Sequence, residues 1–162
     1  SAFCGGRRLD PRASLLKNTG QTHPPPLSVR TSGSRRMKIR ILSDLHIEHN
    51  MPEEVPACGA DLTILAGDIA NGRDGIDWAA RVYDGPVLYV PGNHEYYEST
   101  FDAVSRQMTD AAGESGNVTL LSEGIAEFED ADGQRVRVIG TTWWTDYCLY
   151  GVDRVDDAMQ AC

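Results

Sequence analysis

The sequence predicts an α/β fold of the α+β type. Three observations carry this prediction. Short apolar runs that suit buried strands alternate with segments whose apolar residues recur at helical spacing. Polar clusters follow each of the first three predicted strands. The later part of the chain changes to closely spaced short strands, which suggests a second sheet.

The first three predicted strands cover residues 38–43, 61–66 and 86–90. The first alternates in polarity, whereas the second is nearly all apolar, as a strand buried in a parallel sheet should be. Residues 47–59, between the first two strands, contain two prolines and no helical periodicity. We therefore expect that connection to be mostly loop.

Two helices are predicted around the third strand. The first precedes that strand and should end near Gly85. The second follows it, because apolar residues from Phe101 to Met108 recur at three- and four-residue spacing. Ser99 or Thr100 is the expected N-cap of this helix, and Phe101 and Met108 are expected to pack in the core.

Three short strands are predicted next, at residues 118–121, 125–128 and 135–140. An Asp-Gly pair at positions 132–133 predicts a hairpin between the last two. Residues 153–161 begin a final predicted helix.

The chain of 162 residues divides into two parts by charge and composition. Residues 1–36 carry a net charge of +6, whereas residues 37–162 carry −15. The first part is rich in Gly, Pro, Ser and Arg and lacks sustained periodicity, so we expect it to be disordered and outside the fold. We favour an artefactual extension ahead of Met37, with an organellar transit peptide as the alternative. The folded domain is expected at residues 37–162.

Composition argues against several classes of protein. The acidic part has no clustered Lys/Arg face, which argues against binding to a nucleic-acid duplex. No apolar run approaches the roughly 20 residues that span a bilayer. A small anionic substrate stays compatible with the acidic charge, because a bound metal reverses the sign locally.

The four cysteines are Cys4, Cys58, Cys148 and Cys162. No two of them form a C-x-x-C pair, which argues against a zinc knuckle or a redox motif. We interpret all four as free thiols in a reducing compartment, and we therefore expect a cytoplasmic location.

The polar clusters lie where open α/β sheets bind their ligands, beyond the carboxyl ends of the strands. Asp44 and His46 follow the first strand, Asp68 the second, and Asn93 and His94 the third. Carboxylate, imidazole and amide oxygen together bind divalent metals such as Mn, Fe, Zn or Mg. Asp44 and His46 are two apart, so on an extended chain they would point the same way and chelate one ion.

The motifs differ in how specifically each one indicates a metal site. Asp-x-His and Gly-Asp alone are weak signals because both recur in turns, whereas Gly-Asn-His-Glu after an apolar strand is much more specific. The segment beginning at His94 and Glu95 is H-E-x-x-E rather than the H-E-x-x-H of a zinc peptidase, and it follows a strand. His23 and His49 are expected to be solvated loop residues.

The three clusters resemble the first signature blocks of the calcineurin-like metallophosphoesterase family. The resemblance is carried by Asp44-x-His46, Gly67-Asp68 and the four residues 92–95, and it covers roughly residues 37–150. It is greatest to small bacterial-type phosphoesterases. It implies a four-layer fold, two central mixed sheets flanked by helices, with a site for two divalent ions at the strand ends. It also implies metal-dependent hydrolysis of small phosphoester substrates, either monoesters or diesters.

The resemblance also implies a role for each residue. Asp44 and His46 would bind the first metal, Asp68 would bridge, and Asn93 would bind the second. His94 would lie beside the metals without binding them, and would stabilise the phosphate or protonate the leaving oxygen. For Glu95 a catalytic role stays open, but fixing the loop or orienting His94 is expected at least as much.

One departure from the family pattern affects the expected activity. The family completes its site with further histidines, but no histidine follows His94 here. We therefore expect this chain to be the N-terminal part of such an enzyme, with an incomplete fold. It should bind the second ion poorly and hydrolyse phosphoesters at little above background. The alternative is an inactive fragment that serves at most as a weak metal-binding or interaction module.

Four aromatic residues lie near the predicted strand ends: Tyr96, Tyr97, Trp143 and Trp144. They could stack on a nucleobase of the substrate or pack in the core, and we favour core packing.

Overall fold

A computed structural model describes residues 27–28 (backbone only), 37–50, 52–97, 99–129, 133 and 135–161. The strands are β1 (Leu27–Ser28), β2 (Ile39–Leu42), β3 (Leu62–Ala66), β4 (Val87–Val90), β5 (Val118–Leu120), β6 (Glu123–Glu129) and β7 (Arg135–Thr141). The helices are α1 (Asp74–Val82), α2 (Phe101–Glu114) and α3 (Val155–Gln160), with 3₁₀ turns at His94–Tyr96 and Val152–Arg154.

The first sheet is entirely parallel, in the order β2-β3-β4-β5. Its central strands β3 and β4 are the apolar runs that the sequence predicts, and Leu65 and Leu88 are fully buried. The described residues between β2 and β3 contain no helix or strand from position 47 to 60, which confirms the predicted loop. Because all four strands run the same way, their carboxyl ends meet at one edge of the sheet.

Helices α1 and α2 cover one face of this sheet. Trp78 of α1 and Met108 of α2 are buried in a core that includes Leu65 and Tyr89 of the sheet, which confirms core packing for Met108. Phe101 is 57% exposed at the first position of α2, so for this residue the expectation of core packing is wrong. The hydroxyl of Thr100 accepts a hydrogen bond from the Ala103 N–H at 3.4 Å, which confirms the predicted N-cap. Helix α1 ends at Val82, three residues before the expected glycine.

The second sheet has the order β1-β6-β7 and covers the other face of the parallel sheet. Strands β6 and β7 pair antiparallel, as predicted, although Asp132 of the predicted hairpin turn lies outside the described residues. The inward side of β6 places Phe128 against Leu62, Ile64 and Leu88. The α/β class with a parallel sheet and flanking helices is thereby confirmed.

The described residues form three layers: helices, parallel sheet and second sheet. Along the outward side of the second sheet, Ile139 is 74% exposed and its cross-strand partner Ile125 is 41% exposed. No described element covers this side as the fourth layer of the expected fold would. Its two Glu–Arg pairs, Glu127–Arg137 and Glu129–Arg135, lie on the same side.

Most of the N-terminal segment lies outside the described residues, including His23 and Cys4. Its strand β1 pairs in parallel with Phe128 and Glu129 of β6. The prediction that residues 1–36 form a separate extension stays a prediction. Cys58 and Cys148 are free thiols, as expected, whereas Cys162 is outside the described part. Among the described helices, none combines the length and the apolar character that a membrane crossing requires.

Candidate functional site

Three loops meet at the carboxyl edge of the parallel sheet, as the spacing of the polar clusters predicts. They follow β2, β3 and β4. The first two are joined beyond the ends of their strands, because the Asp44 N–H donates to the Gly67 carbonyl at 3.0 Å and the His46 N–H donates to the Asp68 carbonyl at 3.2 Å. The pairing of the sheet therefore continues into the residues that carry the polar side chains.

The backbone is left-handed at three of the predicted site residues. The φ angles are +54° at Asp44, +46° at His46 and +56° at Asp68; among the described non-glycine residues, only Tyr147 also has a positive φ. The expectation of an extended Asp44-x-His46 segment is thus wrong, because strand β2 ends at Leu42 and the chain turns. Each residue other than glycine in a left-handed conformation adds about 1–3 kcal/mol of backbone strain to the folded state. Such residues cluster at functional sites.

Two glycines make the close approach of the second and third loops possible. Gly67 has a φ of +89°, and a side chain there would meet the Gly92 backbone at 3.0 Å. A side chain at Gly92 would in turn meet the Asp68 backbone nitrogen at 2.6 Å and its carboxylate. These contacts explain why glycine precedes both Asp68 and Asn93.

The Glu95 side chain links the second and third loops through hydrogen bonds. Its carboxylate is fully buried and accepts four hydrogen bonds. The Ile69 N–H (2.9 Å) and the Tyr89 hydroxyl (2.8 Å) donate to Oε1, whereas the Asp68 N–H (3.1 Å) and the Gly92 N–H (2.7 Å) donate to Oε2. This confirms the expectation that Glu95 fixes the loop.

Tyr89 experiences the negative charge of that carboxylate. The pKa of its hydroxyl lies well above the ordinary value of 10.0, first because the ring is buried and second because Glu95 lies beside it. Tyr89 therefore stays protonated as a hydrogen-bond donor throughout the neutral range.

The side chains of His46, Asp68 and His94 converge. One ligand atom from each lies within 4.8 Å of the others, and all three residues are half-buried. The imidazole centroids of His46 and His94 are 4.3 Å apart, edge to face. Asp68 Oδ1 also accepts the backbone N–H of His94 at 3.0 Å, which fixes the carboxylate relative to the third loop.

Asp44 and Asn93 lie on the same loops, and Asp44 is not part of this convergent group. Asp44 is exposed. Asn93 is half-buried, and its side-chain nitrogen donates to the Tyr97 hydroxyl at 2.9 Å. His49 is exposed, as expected for a loop histidine. The individual metal-binding and catalytic roles predicted for Asp44, His46, Asp68, Asn93 and His94 stay predictions.

The four aromatic residues divide between core and surface. Tyr96 is buried and stacks on Phe101 with ring centroids 4.5 Å apart, which confirms core packing for Tyr96. Tyr97 and Trp144 are each 48% exposed, and Trp143 is 90% exposed, so for these three the expectation of core packing is wrong. The Thr142 hydroxyl donates to the Pro91 carbonyl at 2.8 Å and thereby attaches the segment after β7 to the third loop.

The convergent donors suit a divalent cation. One carboxylate and two imidazoles form a mixed oxygen–nitrogen set, which Mn, Fe and Zn accept. Glu95, Gly67 and Gly92 hold the loops in place independently of any cation. The residues present thus fit a metal site.

Comparisons with known proteins agree with this geometry. A family model described as calcineurin-like phosphoesterase matches residues 37–158. An uncharacterized protein of Acanthamoeba polyphaga mimivirus is 29% identical over 130 residues, covering 67% of this chain and 44% of that protein. The chain thus spans less than half the length of that curated relative. No solved structure matches this chain significantly.

Proposed function

Since the chain belongs to the calcineurin-like phosphoesterase family, we propose that it hydrolyses small phosphoesters with the help of divalent cations. The observation that carries the proposal is the convergence of His46, Asp68 and His94 at the carboxyl edge of the parallel sheet. The edge is where open α/β sheets place their chemistry. We also propose a cytoplasmic location, which the free thiols of Cys58 and Cys148 support.

We assign metal binding to Asp44, His46, Asp68 and Asn93. In this proposal Asp44 and His46 would hold a first ion, Asn93 would hold a second, and Asp68 would contribute to both sites. When bound, divalent ions supply the positive charge that offsets phosphoryl oxygens and lower the pKa of an attacking water. The chain is acidic overall, and bound cations would offset its negative charge locally where an anionic substrate binds.

We assign proton donation to His94. It lies beside both His46 and Asp68, which places its imidazole at the proposed metal site, where it would protonate the oxygen that leaves when the phosphoester bond breaks. The same position also suits a metal ligand. Metal content separates the two roles, because His94→Ala should retain its metal if His94 is an acid and lose it if His94 is a ligand.

A second candidate is metal binding without turnover. It is favoured by one observation: among the described His, Cys, Asp and Glu residues, the convergent group offers three ligand atoms. The two candidates differ in whether bound metal produces hydrolysis.

Hydrolysis of p-nitrophenyl phosphate and bis-p-nitrophenyl phosphate with added Mn²⁺ distinguishes them. We expect a rate that is small but dependent on Mn²⁺, and that is lost in Asp68→Asn. The matched control is Asp77→Asn, which alters an exposed aspartate paired with Arg73 on helix α1. Equal rates in the wild type and Asp68→Asn would leave metal binding without turnover as the function of this chain.

A further inference from the structure

Tyr97 is a half-exposed aromatic residue whose hydroxyl and ring are both engaged with the site. It directly follows the 3₁₀ turn His94–Tyr96, and its backbone N–H donates to the His94 carbonyl at 3.1 Å. Its backbone position is therefore fixed by the same turn that carries His94. Because Tyr97 is 48% exposed, its burial alone does not account for a tyrosine at this position.

The Tyr97 hydroxyl engages the nitrogen end of the Asn93 amide. The Asn93 nitrogen donates to this hydroxyl at 2.9 Å. An asparagine side chain has one donating end and one accepting end. Since the nitrogen is held by Tyr97, the oxygen is the end left for a cation, and only the oxygen can bind one.

The Tyr97 ring restricts the His94 imidazole. The ring centroids are 4.3 Å apart with the planes 37° from parallel. His94 also contacts the His46 ring at 4.3 Å. Contacts with two rings leave the His94 side chain little freedom, so loss of the Tyr97 ring should release it.

We propose that Tyr97 is a positioning residue of the metal site, which orients the Asn93 oxygen through its hydroxyl and the His94 imidazole through its ring. This inference depends on the proposed function, because it takes Asn93 to be a ligand. Partners that orient ligands from outside the coordination shell typically contribute about 10–100-fold to metal affinity. Tyr97 would do so for Asn93.

The test is a Mn²⁺ titration by calorimetry of the 162-residue chain. The variants are Tyr97→Phe, which removes only the hydroxyl, and Tyr97→Leu, which also removes the ring. Tyr150→Phe is the matched control, because Tyr150 is 77% exposed and belongs to the segment that precedes α3. Melting temperatures of all variants show whether each one folds.

We expect Tyr97→Phe to weaken Mn²⁺ binding about tenfold, with an unchanged melting temperature. Tyr150→Phe should bind as the wild type does. In an Asn93→Ala background, Tyr97→Phe should have no further effect, since the hydroxyl acts through Asn93. Tyr97→Leu should bind Mn²⁺ about as weakly as Tyr97→Phe does, because both variants lose the hydroxyl, and the ring contacts His94, which is assigned to proton donation rather than to the metal.

Two results would overturn the inference alone: wild-type affinity in Tyr97→Phe, or a Tyr97→Phe effect that persists undiminished in the Asn93→Ala background. Absence of Mn²⁺ binding by the wild type would instead refute the proposed metal site, and the inference with it. The two failures are therefore distinguishable in one set of titrations.

Discussion

The two sheets of this protein differ in how completely they are covered. The parallel sheet has helices on one face and the second sheet on the other, and Leu65 and Leu88 of its central strands are fully buried. Among the described residues, the second sheet is covered on its inward side only. Its outward side exposes Ile139 and carries two Glu–Arg pairs that are partly exposed to solvent.

This difference explains why the site belongs to the parallel sheet. Left-handed residues persist only where the surrounding structure holds them firmly. At the carboxyl edge of the parallel sheet, Glu95 and the glycine contacts provide that hold for Asp68. The exposed ion pairs of the second sheet contribute little, about 0–1 kcal/mol each. Substitutions should therefore have large effects near Glu95 and small effects on the outward side.

The largest effect is expected for Glu95→Gln. Each carboxylate oxygen of Glu95 accepts two hydrogen bonds, so replacing one oxygen by an amide nitrogen should remove two bonds and weaken the other two. A hydrogen bond to a charged group contributes about 1.5–3 kcal/mol, so the free energy of unfolding should fall by roughly 3 kcal/mol or more. Urea denaturation measures this. If the free energy of unfolding falls by less than about 1 kcal/mol, the four hydrogen bonds to Glu95 do not hold the loops together.

A smaller effect is expected for Tyr89→Phe, which removes one of the four donors to Glu95. This substitution should lower the free energy of unfolding by about 1.5–3 kcal/mol at neutral pH. The raised pKa of Tyr89 adds a pH signature. Its contribution to stability is complete below the unfolded pKa of about 10, and it declines at higher pH, where the unfolded chain releases a proton that the folded protein retains.

Denaturation between pH 8 and 11 tests that signature. The alkaline decline in stability should be shallower in Tyr89→Phe than in the wild type, with Tyr150→Phe as the control. If both variants decline as steeply as the wild type, the Tyr89 hydroxyl is not the group responsible.

The smallest effect is expected for Ile139→Thr on the outward side of the second sheet. Surface substitutions usually change stability by less than about 0.5 kcal/mol. The neighbouring Val138→Thr is the control, since Val138 packs against the core between the sheets and should cost more. A loss at Ile139 as large as that at Val138 would mean that the outward side is covered in solution.

The sequence predicted the parts that depend on periodicity and spacing. Buried strands such as β3 are recognisable as apolar runs, and intervals of 24 and 25 residues from Asp44 to Asp68 to Asn93 suit successive strands of a parallel sheet. Thr100 was recognisable as a cap because its side chain acts locally.

The parts that depend on contacts between distant loops were not predictable in the same way. Spacing implied an extended segment from Asp44 to His46, but the backbone turns left-handed there because it is bonded to the β3 loop. The exposure of Trp143 depends on what covers the end of β7, which no local pattern encodes. The hydrogen bond from Asn93 to Tyr97 has a local signal in the sequence, because the two residues are four positions apart.

The most direct test of the metal site is calorimetric titration of Mn²⁺ into the wild type and into Asp68→Asn, with Asp77→Asn as the control. Because Asp68 is the carboxylate that converges with His46 and His94, and the residue assigned to both ions, its neutralisation should weaken Mn²⁺ binding by more than roughly 100-fold, beyond the usual effect of an indirect partner. Asp77→Asn should bind as the wild type does. Wild-type affinity in Asp68→Asn would contradict the account, because the cation would then bind elsewhere.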